Sequence, residues 1–257
     1  MVTGLQASMT DTLAGKTALV TGATAGIGYA IAAQLAAEGA QVVVHGRDAE
    51  RGAKTVQDIE NAGGTARFVA ADLSDADDVR WLADEAGDVD ILVNNAGIYR
   101  FATTFETTDA DFDDHFDTNL RAPYLLVQKL VPGMIERGGG AVVNVTTTAA
   151  TRPAAGAGIY GASKAGLDLF TKLWADEFGG HGVRVNAVSP GPTRTDGSAD
   201  LGVEIVDGLG RTTALGRTAG PEEVASVVAF AASPAASYVN GAILTVDGGA
   251  PAVRPVA

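Results

Sequence analysis

The chain has 257 residues, 46% hydrophobic and 19% charged, with 18 Lys plus Arg against 31 Asp plus Glu for a formal charge of −13, and no cysteine. That length suits one α/β domain, the composition excludes a disordered chain, and the missing cysteine excludes a disulfide scaffold, a thiolate-held metal and a thiol nucleophile. Residues 72–117 hold 14 acids against Arg80 and Arg100, a net of −12, and no basic stripe stands elsewhere, so nucleic acid is not an expected partner.

Neither a leader-like start nor a long apolar run is present, so a cytoplasmic protein with no membrane partner is expected. Along the chain, short β-branched runs at 17–20, 41–44, 66–70, 90–93, 141–145, 183–188 and 242–246 predict strands. Between them, helices are expected over 27–38, 49–62, 75–86, 109–137, 158–179 and 221–232, with Gly39 and Gly63 as stop signals and Pro221 as a start. The alternation implies βαβ units. The fold expected for 1–257 is a single Rossmann-type, doubly wound sheet of about seven parallel strands with helices on both faces. Residues 196–220 carry six glycines and no clear element, which suggests a substrate lid within that domain.

The first strand runs into TGATAGIG, residues 21–28, and then a helix. Gly22 and Gly26 would let backbone approach a pyrophosphate, and the helix starting near Ile27 offers it unpaired N–H groups. Further polar motifs fall at or just beyond strand ends, where open α/β sheets bind ligands: NNAG (94–97), NVTTT (144–148) and NAVSPG (186–191), with YGASK (160–164) opening a helix. Tyr160 and Lys164 are four apart and so share a helix face, where the ammonium would lower the phenol pKa toward the operating range. Tyr160 then suits general acid/base work on a carbonyl or hydroxyl oxygen. The second strand ends VVVHGRD, with Gly46 where an acid would bind a ribose 2′-hydroxyl and Arg47 next to it. Arg47 favours NADP(H) over NAD(H), while Asp48 and the lack of a basic residue at Ala25 argue the other way.

Together these motifs resemble the short-chain dehydrogenase/reductase family over residues 13–249, in a 3-oxoacyl reductase-like form. The resemblance implies a nicotinamide cofactor held by Gly22, Thr24, Ala25, Gly26, Ile27, Gly28, Arg47, Asp72, Leu73, Asn95, Ala96, Gly97, Tyr160, Lys164, Pro190, Gly191, Thr193 and Thr195. Lys164 would also hold the nicotinamide ribose, Asn94 would brace the sheet, and Asn119 in DTNLRAPY would order a water leading from the lysine. The family's usual serine is replaced by Thr147, which keeps the hydroxyl but stiffens χ1, with Thr146 and Thr148 as adjacent alternatives.

The expected activity is hydride transfer between the cofactor and a carbonyl or secondary alcohol. The alternatives are a catalytically silent dinucleotide sensor or scaffold and a 3-oxoacyl-carrier-protein reductase. The resemblance also places Ile98, Tyr99, Phe101, Ala149, Ala150 and Pro153 around the substrate, and Arg100, Arg152 and Arg194 either meet an anionic group or are solvated. The acidic segment favours a small or medium carbonyl over an acidic carrier protein. A homotetramer or homodimer, paired through the long helices and the last strand (YVNGAILTVDGG, 238–249), is the expected assembly.

Overall fold

The β-branched runs hydrogen-bond into one parallel sheet in a computed structural model that describes residues 12–195 and 203–250. The strands are β1 (Thr17–Val20), β2 (Gln41–Gly46), β3 (Thr65–Ala70), β4 (Ile91–Asn94), β5 (Gly140–Val145), β6 (Val183–Pro190) and β7 (Ile243–Val246), in the order β3-β2-β1-β4-β5-β6-β7. The helices are α1 (Gly26–Ala37), α2 (Ala49–Asn61), α3 (Ala76–Ala86), α4 (Asp109–Phe116), α5 (Ala122–Glu136), α6 (Gly158–Gly179), α7 (Val203–Arg211) and α8 (Pro221–Ala232). The strand order reverses between β1 and β4, and that switch point opens a crevice at the carboxyl ends of the strands.

Alternate residues of each central strand enter different cores. Leu19, Val43, Leu92, Val142 and Val185 pack with Leu82, Leu126, Met134, Leu167 and Trp174 of α3, α5 and α6. Their strand neighbours Val20, Val42, Val44, Val93, Val143 and Val188 pack with Ile31, Leu35, Ile59, Val224 and Val228 of α1, α2 and α8. Burial on both faces is why the strands read as unbroken apolar runs. The edge strands β3 and β7 are less buried. No helix among the described residues is long and apolar enough to cross a membrane.

Two elements differ from expectation. The predicted helix 109–137 is interrupted by a π-helical turn at Asp117–Arg121, which separates α4 from α5 and fully buries Asn119. Such turns insert one residue per turn and recur at functional sites. The span 196–220 is not featureless: it contains α7, although Gly208 and Gly210 lie within that helix and lower its intrinsic propensity. The part of the expected lid at 196–202 lies outside the described residues.

Candidate active site

The turn between β1 and α1 is shaped by side chains that are missing. Gly22 (φ 63°) and Gly26 (φ 54°) take a left-handed backbone that other residues rarely adopt. At Gly28 a Cβ would lie 2.1 Å from the Gly22 carbonyl oxygen and 2.4 Å from Asn95 Nδ2, so only glycine lets α1 begin so close to the turn. Helices α2, α3 and α4 are capped by Asp48, Asp75 and Thr108, but the residue before α1 is Ala25, which offers no side-chain cap. The first N–H groups of α1 therefore remain available to an anion. Thr195 packs within 3.2 Å of where a Gly26 Cβ would stand, bringing the segment after β6 over the turn. On that segment Pro190 ends β6, Gly191 packs against Asp247, and the Thr193 hydroxyl donates to the Gly191 carbonyl at 3.1 Å.

Asn95 Nδ2 donates to the carbonyls of Thr21 (2.9 Å) and Gly22 (3.2 Å), so its amide braces the turn. The Asn95 and Ala96 N–H groups both donate to Thr21 Oγ1 at 3.0 Å. Asn94 donates to Asn144 Oδ1 at 2.8 Å, and Asn144 donates to Thr171 Oγ1 at 2.8 Å, a buried chain that ties β4, β5 and α6 together.

His45, which no sequence motif marks, supports the turn from below. Its Nδ1 accepts from the Gly22 N–H at 3.2 Å, so its proton sits on Nε2, which donates to the Ala71 carbonyl at 3.2 Å. Burial pushes the imidazole down to about 4. At the end of β2 a Cβ on Gly46 would meet Thr24 Cγ2 at 2.6 Å, so a carboxylate has no room there unless Thr24 moves. Asp48 is engaged by its own helix, accepting from the Arg51 N–H and pairing with Arg51 Nε, each at 3.0 Å. Arg47 is exposed and forms no ion pair among the described residues. Asp72 accepts from the Ser74 N–H (3.0 Å) and hydroxyl (2.9 Å), and the backbone bond above all holds its carboxyl below the usual range. Leu73 puts its side chain into the core, which leaves only its backbone for a ligand.

At the other end of the crevice, α6, the end of β5 and the π turn converge beside Gly97. A Cβ on Gly97 would lie 3.1 Å from Asn119 Oδ1 and 3.2 Å from Lys164 Nζ. Asn119 Oδ1 accepts from the Ile98 N–H at 2.8 Å, while its Nδ2 donates to the Ile98 carbonyl and to Ser163 Oγ, each at 3.0 Å. The π turn thus fixes the Asn119 amide against the segment after β4. Lys164 is buried and donates to the Val145 carbonyl at 2.9 Å. Tyr160, half-buried, sets its ring edge-on to Tyr99 at 6.3 Å.

Of the three threonines, Thr147 meets the phenol. Its backbone is extended, its Oγ1 accepts from the Ala149 N–H at 3.3 Å, and its hydroxyl acts on Tyr160 to lower the phenol pKa. Thr146 is buried and faces Asp168, and Thr148 starts a short 3-10 turn. The expected lowering of Tyr160 by Lys164 is overturned. Desolvation raises the phenol above its ordinary value, against the Thr147 hydroxyl, while Lys164 donates to the Val145 carbonyl and is itself lowered to about 8 by burial.

The three arginines near the strand ends are paired within the chain. Arg100 meets Asp111 (2.9 Å) and Asp114 (2.7 Å), Arg152 meets Asp247 (2.9 Å), and Arg194 meets Asp207. The wall beside Tyr160 is instead aromatic, with Tyr99 and Phe101 at 6.3 Å and both rings exposed.

Comparison with known proteins agrees with this architecture. A family model described as enoyl-(acyl carrier protein) reductase matches residues 22–251. The D-threitol dehydrogenase of Mycolicibacterium smegmatis is 40% identical over 246 residues, 92% of this chain and 93% of that protein. A solved short chain dehydrogenase/reductase family protein is 54% identical with a TM-score of 0.88, covering 94% of this chain and 99% of that one. The 3-oxoacyl (acyl-carrier-protein) reductase of Agrobacterium tumefaciens C58, solved with NADP bound, is 34% identical with a TM-score of 0.91 over 97% of this chain and 100% of that one. A matched family model over most of its length, and relatives of this identity, place the chain in the short-chain dehydrogenase/reductase family, as a nicotinamide-dependent oxidoreductase acting on CH–OH and C=O groups.

Proposed function

We propose that the chain uses NADP(H) to interconvert an uncharged small or medium carbonyl compound and its secondary alcohol, with Tyr160 as the general acid/base. The observation that carries this reading is that Lys164 and Asn119 both stand beside Gly97 in the crevice, on and against the helix that presents Tyr160 to the Thr147 hydroxyl. The turn, its close approaches and the uncapped start of α1 fit a dinucleotide pyrophosphate. The turn residues, Asp72, Ala96, Gly97 and the segment Pro190 to Thr195 would hold the rest of the cofactor. Arg47 and the Thr24 hydroxyl would meet a 2′-phosphate, a preference supported by the lack of space at Gly46 and the engagement of Asp48. When bound, the cofactor supplies or accepts the hydride.

The protein's own part is orientation and proton transfer. In reduction, Tyr160 donates its hydroxyl proton to the carbonyl oxygen, which the Thr147 hydroxyl steadies. A phenol held protonated by burial is ready for that donation. Lys164 would pass on the replacement proton, with Asn119 ordering the water that connects it to solvent. The paired arginines and the aromatic wall favour an uncharged substrate. The acids of α4 beside Arg100 disfavour docking of an acidic carrier protein.

We also read residues 196–220, α7 included, as the cover of the substrate. The exposed Tyr124 of α5 and Leu169 and Leu173 of α6 suit pairing of two or four copies through the long helices. A panel of neutral ketones, keto acids and carrier-bound 3-oxoacyl groups, assayed with NADPH and with NADH, tests the substrate reading. Turnover of neutral ketones with NADPH is expected. Turnover confined to carrier-bound groups, or a strong preference for NADH, would contradict it.

A further inference from the structure

The face of α6 that carries Tyr160 and Lys164 continues one turn further to Asp168, since residues four apart on a helix are neighbours. Lys164 is 3% and Asp168 8% exposed, so two groups of opposite charge lie one turn apart on a buried helix face. Asp168 has few partners for a buried carboxylate. Among the described residues its Oδ1 has no hydrogen-bond partner, nor does Thr146 Oγ1 at the end of β5. The charged groups acting on Asp168 are Lys172, exposed on its own helix, and Lys164. The one charged group acting on Lys164 is Asp168, and around the ammonium stand the neutral Val145 carbonyl, Gly97 and Asn119.

We propose that Asp168 is a positioning residue, a buried counter-charge that keeps Lys164 in its ammonium form beneath Tyr160. The inference deepens the proposed function and rests on it, because a charged Lys164 matters to turnover only if Tyr160 handles the proton. A buried amine without an opposite charge gives up its proton readily. Burial already lowers Lys164 to about 8, and the Asp168 carboxylate opposes a further fall. In the proposed function the charged Lys164 passes on the replacement proton, so reduction is expected below the Lys164 pKa and is lost as pH rises through it.

In Asp168→Asn, the alkaline limb of the reductive kcat/KM profile is expected to move toward lower pH by about one unit, since removing a nearby opposite charge shifts a buried group by about that much. The variant would then lose about fivefold at pH 8 while staying within about twofold at pH 6, and Asp168→Glu would recover part of the limb. A profile scaled down evenly at all pH values, or an unmoved limb, overturns the proposal. A second measurement needs no variant and no cofactor. In 13C-labelled wild-type protein, the Asp168 carboxyl shift is expected to move in the same step in which Lys164 Cε titrates, and a carboxyl indifferent to that step overturns the proposal. Tyr160→Phe separates the two readings. Full activity in that variant removes the proposed acid/base, whereas an inactive Tyr160→Phe beside an unmoved Asp168→Asn limb removes only the role of Asp168.

Discussion

The two ends of the crevice are built by opposite means. At the glycine turn the geometry comes from absent side chains: Gly28 against the Gly22 carbonyl, and Gly46 against Thr24. The polar groups below, Thr21, Asn95 and His45, face the protein itself. At the proton-handling end the chemistry comes from side chains brought into low dielectric, where burial moves Tyr160 up, Lys164 down and Asp168 up. The first region should therefore respond to substitution sterically, through binding and stability. The second should respond electrostatically, through the pH dependence of turnover.

The strongest way to break that contrast is Gly28→Ala. Its Cβ would lie 2.1 Å from a backbone oxygen, and strain of that kind is expected to cost about 3 kcal/mol or more, seen as a lower melting temperature and a loss of NADPH binding of at least about a hundredfold. Near wild-type binding by fluorescence titration would mean that the turn relaxes freely. His45 gives a comparable effect, spread over pH. Its folded pKa of about 4 lies below its ordinary 6.5. Its contribution is thus complete above 6.5 and is lost as pH falls through about 4, a total of about 3 kcal/mol. Urea unfolding at pH 7 and 4.5 should show a smaller drop in His45→Asn than in wild type, and equal drops would count against the buried neutral imidazole.

The smallest expected effect sharpens the cofactor preference. Removal of an arginine that meets a phosphate forfeits about 1.5–3 kcal/mol, so Arg47→Ala should weaken NADPH binding by about tenfold or more. NADH binding should hardly change. Equal losses for both cofactors would assign Arg47 to something other than a 2′-phosphate.

What could be seen in the sequence divides along the same line. The seven strands were legible because burial on both faces leaves unbroken β-branched runs, and the turn was legible because glycine marks places where a Cβ cannot stand. Tyr160 and Lys164 stood out by helical spacing. The part of Asn95 as a brace of the turn, and the seat of His45 under Gly22, depend on hydrogen bonds between residues 23 to 74 positions apart, which no local pattern encodes. The π turn at Asn119 has no compositional mark, and α7 forms despite glycines that argue against it. The raised Tyr160 pKa was missed because spacing shows that two side chains share a face but not where an ammonium points.

The central claim, that Tyr160 is the proton donor in a site whose cofactor cradle is built separately, is tested most directly by Tyr160→Phe assayed beside NADPH binding. Loss of a general acid is expected to lower kcat by about a hundredfold or more, with the Kd for NADPH within about twofold of wild type, since the phosphate-holding turn and Arg47 lie at the other end of the crevice. Retained turnover would contradict the assigned chemistry, and parallel loss of NADPH binding would contradict the separation of the two regions.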